Sequence, residues 1–380
     1  MKYVDEFRDG KLARTLATEI ASAVDPAQSY RFMEFCGGHT HAISRYGLED
    51  MLPTNVQMIH GPGCPVCVLP AGRIDMAIQL AERPEVTLCV YGDLMRVPGS
   101  QGASLMRAKA RGADVRMVYS TLDAIAIAEQ EPDREVVFFA IGFETTTPPT
   151  AVAIRLAARK KLGNFTVFCN HVLTPSAIQT ILESPEIRDI GRVEIDGFIG
   201  PAHVSTVIGT QPYEFFAEEF GQPVVIAGFE PVDVMQAILM LVRQVNDGRH
   251  EIENQYIRAV TRGGNVRAKA EVADIFELRD QFEWRGLGPV PYSGLRLKAA
   301  YADYDAERRF AMTDITAPDN PACECGSILR GAKKPADCKL FGTVCTPETP
   351  MGSCMVSSEG ACAAHWTYGR FRDLQRKQAS

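Results

Sequence analysis

Several features that would assign a function class early are missing from this sequence. No uncharged apolar run approaches the roughly 18 residues of a membrane-spanning helix, so no membrane partner is expected. The opening stretch MKYVDEFRDGKLARTLATEI carries acids and has no apolar h-region, so no secretory leader is expected and the cytoplasm is the expected compartment. Acidic residues outnumber basic ones, 47 to 40, and the net charge of −7 argues against a nucleic-acid footprint, which would need a basic face. No G-x-x-x-x-G-K followed by Ser or Thr occurs, which removes a nucleotide-cleaving phosphate loop. A G-x-S-x-G nucleophile elbow is also missing. A second C-x-x-C pair, which would complete a common zinc site, is absent.

What is present is cysteine. The chain has 11 of them in 380 residues, six between Cys323 and Cys362. A reducing compartment disfavours a disulfide framework, so metal ligation or redox chemistry is the favoured use. The remaining composition, 46% hydrophobic and 23% charged, is that of a soluble protein with a full core, and the length predicts two or three domains.

Residues 2–24 read as a helix, with Leu12, Leu16, Ile20 and Val24 four apart and Asp25-Pro26 as the stop. Then a grammar repeats: an apolar, β-rich run, a turn with Gly or Pro, and a helical stretch. The runs are 31–38, 56–63, 86–93, 115–120, 136–144, 165–171, 195–201 and 223–230. This is the rhythm of βα units around a parallel sheet. Eight units can close into one barrel or divide into two doubly wound domains. The turns GFETTTP (142–148) and GFEP (228–231) look like one device used twice, which favours two. The expected fold is α/β, with two similar doubly wound parallel-sheet domains over 31–130 and 131–245. Residues 1–30 and 246–380 form a third, helical and cysteine-rich unit, with 250–282 read as helical.

Three motifs carry chemistry. The first is the C-terminal set Cys323, Cys325, Cys338, Cys345, Cys354 and Cys362. Four thiolates hold either a [4Fe–4S] cluster or a zinc ion, and spacing alone leaves both open. The second is CGGHTH (36–41), where Cys36 leaves an apolar run ahead of two glycines and two histidines. If residues 39–41 are extended, His39 and His41 point to one side, and the three groups can hold a transition metal or act as nucleophile and acid–base pair. The third is GPGCPVC (61–67), whose Cys64 and Cys67 have the spacing of a redox-active dithiol. Cys89 and Cys169 lie inside apolar runs and read as core thiols. His60, His171 and His203 stand at strand ends, each more commonly structural than functional.

Together FCGGHTH, GPGCPVC, VPGS, GFETTTP, GPAHVS (200–205), AGFEP and the ending CECGSILRG…CKLFGTVCTP…GSCMVSSEGACAA resemble the HypD family of hydrogenase maturation proteins, from about residue 30 to 368. The resemblance implies a scaffold and redox partner that builds the Fe(CN)₂CO group of [NiFe]-hydrogenases with a HypC-type chaperone and a HypE-type cyanide donor. It implies two α/β domains and a third that carries a [4Fe–4S] cluster. It places the assembled iron on Cys36 and the redox pair on Cys64 and Cys67; beside that iron, His39 and His41 read as proton donors or orienting groups. The family's C-x₁₂-C-x₆-C-x₁₆-C pattern falls on Cys325, Cys338, Cys345 and Cys362, and leaves Cys323 and Cys354 as a second exchangeable pair. Glu359 reads either as a hydrogen-bonding group near the cluster or as a solvated loop carboxylate. A free-standing iron–sulfur dithiol/disulfide reductase is the competing reading, and a structural zinc protein a third.

Overall fold

The computed structural model describes residues 4–183 and 195–370. All eight apolar runs contain strands. These are β1 (Tyr30–Glu34), β2 (Val56–His60), β3 (Val86–Val90), β4 (Val115–Met117), β5 (Glu135–Gly142), β6 (Phe165–His171), β7 (Gly197–Gly200) and β8 (Val224–Ile226). A ninth, β9 (Ile252–Asn254), follows. They form two open sheets, β2-β1-β7-β8-β9 and β4-β3-β5-β6, whose neighbours all run parallel. The physical reason is visible in β3 and β6, which are buried on both faces and so read as unbroken apolar runs. Two open sheets exclude the single barrel.

The sheets do not follow the expected linear division. Strands from residues 30–60 and 197–254 share the first sheet, and the strands of 86–171 build the second between them. The boundaries 31–130 and 131–245 therefore cut across both sheets. Residues 250–282 are also not one helix. Ile252–Asn254 pairs with β8, and the helix there is Val266–Ile275, capped by the Asn265 side chain. The N-terminal helix spans Gly10–Ala23, with Asp9 accepting from the Lys11 and Leu12 amides, and it ends just before Asp25-Pro26. Residues 2 and 3 of that expectation lie outside the described residues.

The two GFE turns do match. Each leaves a parallel strand at its carboxyl end and opens a helix with proline in its first turn, Thr147–Lys160 in one case and Pro231–Asn246 in the other. Gly142 is required in the first: its φ is +142°, and a Cβ there would strike the Thr146 hydroxyl. That hydroxyl donates to Phe143 O at 3.1 Å and tightens the turn. The helix Pro231–Asn246 buries Val234, Ile238, Leu241 and Val242 against the first sheet. Truncating Ile238 to alanine would cost about 2–5 kcal/mol.

The cysteine-rich segment shares its core with the second sheet. Cys325, Cys345, Cys354 and Cys362 are buried in the same cluster as Val86, Leu88 and Phe139. Arg96 ties the segment down, donating to Pro347 O at 3.0 Å and Val356 O at 3.3 Å. Among the described residues no helix is long and apolar enough to cross a membrane.

Candidate functional site

In an open parallel sheet, ligands bind beyond the carboxyl ends of the strands, where the strand order reverses. Both sheets have such a point. In the first, β1 has β2 on one side and β7 on the other; in the second, β3 lies between β4 and β5. A single cavity of about 430 Å³ is lined from both. Cys36 and His203 enter it from behind β1 and β7, and Asp93, Thr145 and Thr146 from behind β3 and β5. Glu359, from the C-terminal segment, completes the wall.

Cys36 is the N-cap of the helix Gly37–Tyr46 and is 5% exposed. Its amide donates to Glu34 Oε2 at 3.0 Å, and the Gly37 amide to Gly63 O at 2.8 Å. Burial first, and then the nearby Glu359 carboxylate, pushes the Cys36 thiol up to about 12, although the Gly38 and His39 amides work the other way. Such a thiol stays protonated until a metal cation replaces its proton.

The two histidines of CGGHTH do not share a side. Residues 37–46 are helical, and two positions along a helix turn a side chain by about 200°. His39 is fully buried, with Nε2 at 2.9 Å from Gly228 O and 3.1 Å from Ala227 O. His41 points elsewhere, with Nε2 3.1 Å from the Tyr368 hydroxyl. Burial lowers the pKa of both, and neither lines the Cys36 cavity. The extended geometry expected for them fails because Gly37 and Gly38 begin a helix. A Cβ on Gly37 would strike Glu359, and one on Gly38 the Phe229 ring. The histidine that does line the Cys36 cavity is His203, its ring tilted at 4.0 Å from Phe229 and its pKa lowered, first by burial and then by His39.

Glu359 takes neither place expected of it. It lies against Gly37 in the Cys36 cavity, and its pKa is raised by burial and then by Asp93 and Glu34. Glu34 escaped notice in the sequence. It is fully buried, accepts from Cys36 N and the Thr40 hydroxyl, and pairs with His60 Nδ1 at 2.7 Å. Burial opposes protonation of His60, but the Glu34 contact outweighs it and raises the pKa. The available clue was a carboxylate inside the apolar run RFMEFC.

Cys64 and Cys67 form a disulfide. Cys64 also caps the short helix Pro65–Val68, its sulfur accepting from Cys67 N at 3.2 Å. Pro65 and Val66 line the Cys36 cavity, so the pair lies directly behind its wall. On the other side is Ser353, whose hydroxyl donates to Cys67 O at 2.7 Å and lies 3.8 Å from Cys325 Sγ.

The C-terminal thiols are sorted differently from the expectation. Cys354 is bonded to Cys325, not paired with Cys323. Cys323, Cys338, Cys345 and Cys362 remain free thiols. All six line one tight cavity. Burial first, then the mutual repulsion of neighbouring thiolates, pushes Cys323 up to about 11 and raises Cys362. Thiols raised in this way, as Cys323 and Cys362 are, ionise readily only beside cations. In kind, this donor set suits a cluster of iron and sulfide. Among the described residues no three His, Cys, Asp or Glu side chains converge on a position for a single metal ion. Cys89 and Cys169 are buried core thiols, as expected.

Comparison with known proteins gives the family. The family model described as "HypD: Hydrogenase formation hypA family" matches residues 11–369. The chain belongs to the HypD family. Hydrogenase maturation factor HypD2 of Bradyrhizobium diazoefficiens is 80% identical over 380 residues, covering both chains in full. HypD of Rhizobium leguminosarum bv. viciae is 75% identical over 377 residues, 99% of this chain and 98% of its own. HypD of Escherichia coli K12 is 47% identical over 373 residues, 97% and 98% of the two chains. The function is thus that of a HypD hydrogenase maturation factor.

Proposed function

We propose that this protein is a cytoplasmic scaffold on which the Fe(CN)₂CO group of [NiFe]-hydrogenases is assembled, with Cys36 as a ligand of the iron. The observation that carries this is the position of Cys36: a buried thiol at the meeting of two switch points, with a disulfide directly behind the wall. Iron is the substrate here. Its soft thiolate ligand suits a metal that must hold cyanide. One side of the cavity admits a HypC-type chaperone that shares the iron and takes the product on, while a HypE-type protein delivers cyanide.

His203 and Glu359 face the same space and supply the hydrogen bonds and protons the site uses, in place of His39 and His41. Behind them Ser353 bridges the two disulfides, from Cys64–Cys67 to Cys325–Cys354, and the latter shares a cavity with the four free thiols, giving a route of sulfur groups. Reducing Cys64–Cys67 takes two electrons and two protons and leaves two thiols. We place the [4Fe–4S] cluster on Cys323, Cys338, Cys345 and Cys362, because Cys325 is engaged with Cys354. When bound, it supplies single electrons to this route.

The test is Cys36→Ala in the anaerobic complex with HypC. The infrared bands of bound CN and CO should vanish while the iron–sulfur absorption survives; bands that persist remove Cys36 as the scaffold ligand.

A further inference from the structure

A second cavity, about 510 Å³, shares no lining residue with the first and has Cys323 and Cys325 in its wall. Its other notable group is Arg285, 4% exposed. The Arg285 amide is fixed to Val68 O at 2.7 Å, one residue after Cys67, and its Nη2 donates to Pro98 O at 3.2 Å. Asp319 stands 3.1 Å from Nε, but the N–H is not aimed at it, and Nε has no hydrogen-bond partner among the described residues. Asp319 is also half in solvent. The guanidinium thus pairs only with a carboxylate that is itself half in solvent, and in this concave wall an anion of planar, carboxylate-like geometry can exchange with Asp319.

The facing wall is the loop Pro98–Gly102, which the sequence marks with PGSQG. Asp75 holds it by accepting from both the amide and the hydroxyl of Ser100, and Gly99 N and Ala103 N close it on Ala103 O and Ser100 O. Gln101 and Gly102 are both left-handed, at φ +52° and +73°. The loop is therefore a built wall, and the volume suits a molecule of tripeptide size.

We propose that this cavity binds a low-molecular-weight thiol bearing carboxylates, which enters at Arg285 and reduces the Cys325–Cys354 disulfide. The inference rests on reading that disulfide as part of the electron route to Cys36. The ligand thiolate attacks Cys325 Sγ, the bond to Cys354 breaks, and Cys354 leaves as a thiolate. A second ligand thiolate then attacks the mixed disulfide, releasing the ligand's disulfide and the Cys325 thiolate. Two ligand thiols are oxidised, one protein disulfide is reduced, and two electrons enter. Reduction here does not compete for space with iron held at Cys36, because the two cavities are separate.

The experiment uses full-length, anaerobically purified protein with Cys325–Cys354 oxidised. It is exposed to reduced glutathione or to uncharged 2-mercaptoethanol at matched thiolate concentration, and thiols are trapped by alkylation and mapped by mass spectrometry. Glutathione should form a mixed disulfide on Cys325 and open the bond roughly tenfold faster, the scale of a hydrogen bond to a charged group. Arg285→Gln should erase that advantage. Because Arg285 is buried, the exposed Gln101→Glu is the second variant; its added charge in the cavity should slow glutathione and leave 2-mercaptoethanol unchanged. Equal rates for the two thiols, an advantage that survives both variants, or reduction by thioredoxin alone would each overturn the proposal. Dithiothreitol tests the route separately. If it opens Cys325–Cys354 and Cys64–Cys67 stays oxidised, the route through Ser353 fails, and the glutathione comparison still decides the cavity.

Discussion

Ser353 is fully buried and donates its hydroxyl to the carbonyl of Cys67 at 2.7 Å, while the same oxygen lies 3.8 Å from Cys325 Sγ. One side chain thus fixes the spacing between two disulfides that are more than 250 residues apart in sequence. Ser353→Ala leaves the Cys67 carbonyl without this partner in a buried place. It should cost about 1–3 kcal/mol of stability, read by denaturant unfolding under anaerobic conditions. It should also slow transfer of reducing equivalents from Cys325–Cys354 to Cys64–Cys67. A variant with unchanged stability and unchanged transfer would show that Ser353 fills space only.

The cluster assignment separates two neighbouring cysteines. With Cys323 free and Cys325 bonded to Cys354, Cys323→Ser should lose bound iron and sulfide, and Cys325→Ser should keep most of both. Metal and acid-labile sulfide analysis of the anaerobic proteins decides it. The opposite result returns Cys325 to the ligand set that the family's spacing implies.

The strands were legible because a parallel sheet buries both faces of its inner strands, and so runs such as β3 and β6 are plainly apolar. Their partition was not, since an apolar run carries no mark of which sheet it joins; β1 and β2 meet β7 and β8 only across the inserted second sheet. The strand β9 is Ile-Glu-Asn, too short and too polar to announce itself. Cys36 was legible, but its surroundings were not. After the apolar run, residues 39–41 could be read as extended. Gly37 and Gly38 instead let a helix start hard against Glu359 and Phe229, which turns His39 and His41 away. The partner of Cys354 depends on the path of a loop, and spacing does not encode it.

That close approach is itself testable. A Cβ on Gly37 would overlap the Glu359 side chain. Gly37→Ala should therefore destabilise by about 1–3 kcal/mol, the usual cost of overpacking. Adding Gly37→Ala to Glu359→Gly should cost much less, because the obstructing side chain is gone. Thermal or urea unfolding of the four proteins closes the cycle. Equal costs in both backgrounds would mean that the glycine serves the backbone and not the contact.

Glu144 gives the fold a pH dependence of definite sign. It follows β5 in the first GFE turn, 7% exposed, and its oxygens accept from Thr174 N at 2.9 Å and from the Thr174 hydroxyl at 3.0 Å. Burial pushes its pKa up to about 7, above the ordinary 4.5, and the Thr174 bonds only partly counter it. The folded state therefore holds a proton that the unfolded state gives up between those values. Stability from this group is fully present below about pH 4.5 and is lost as pH rises through about 7. A displacement of that size corresponds to about 3 kcal/mol at most. Glu144→Gln keeps an acceptor for the Thr174 amide and cannot ionise. It should match the parent at about pH 5 and exceed it by about 1–3 kcal/mol at about pH 8, measured by denaturant unfolding at the two values. A stability difference that does not change between them would mean that Glu144 ionises in the folded protein as it does in water.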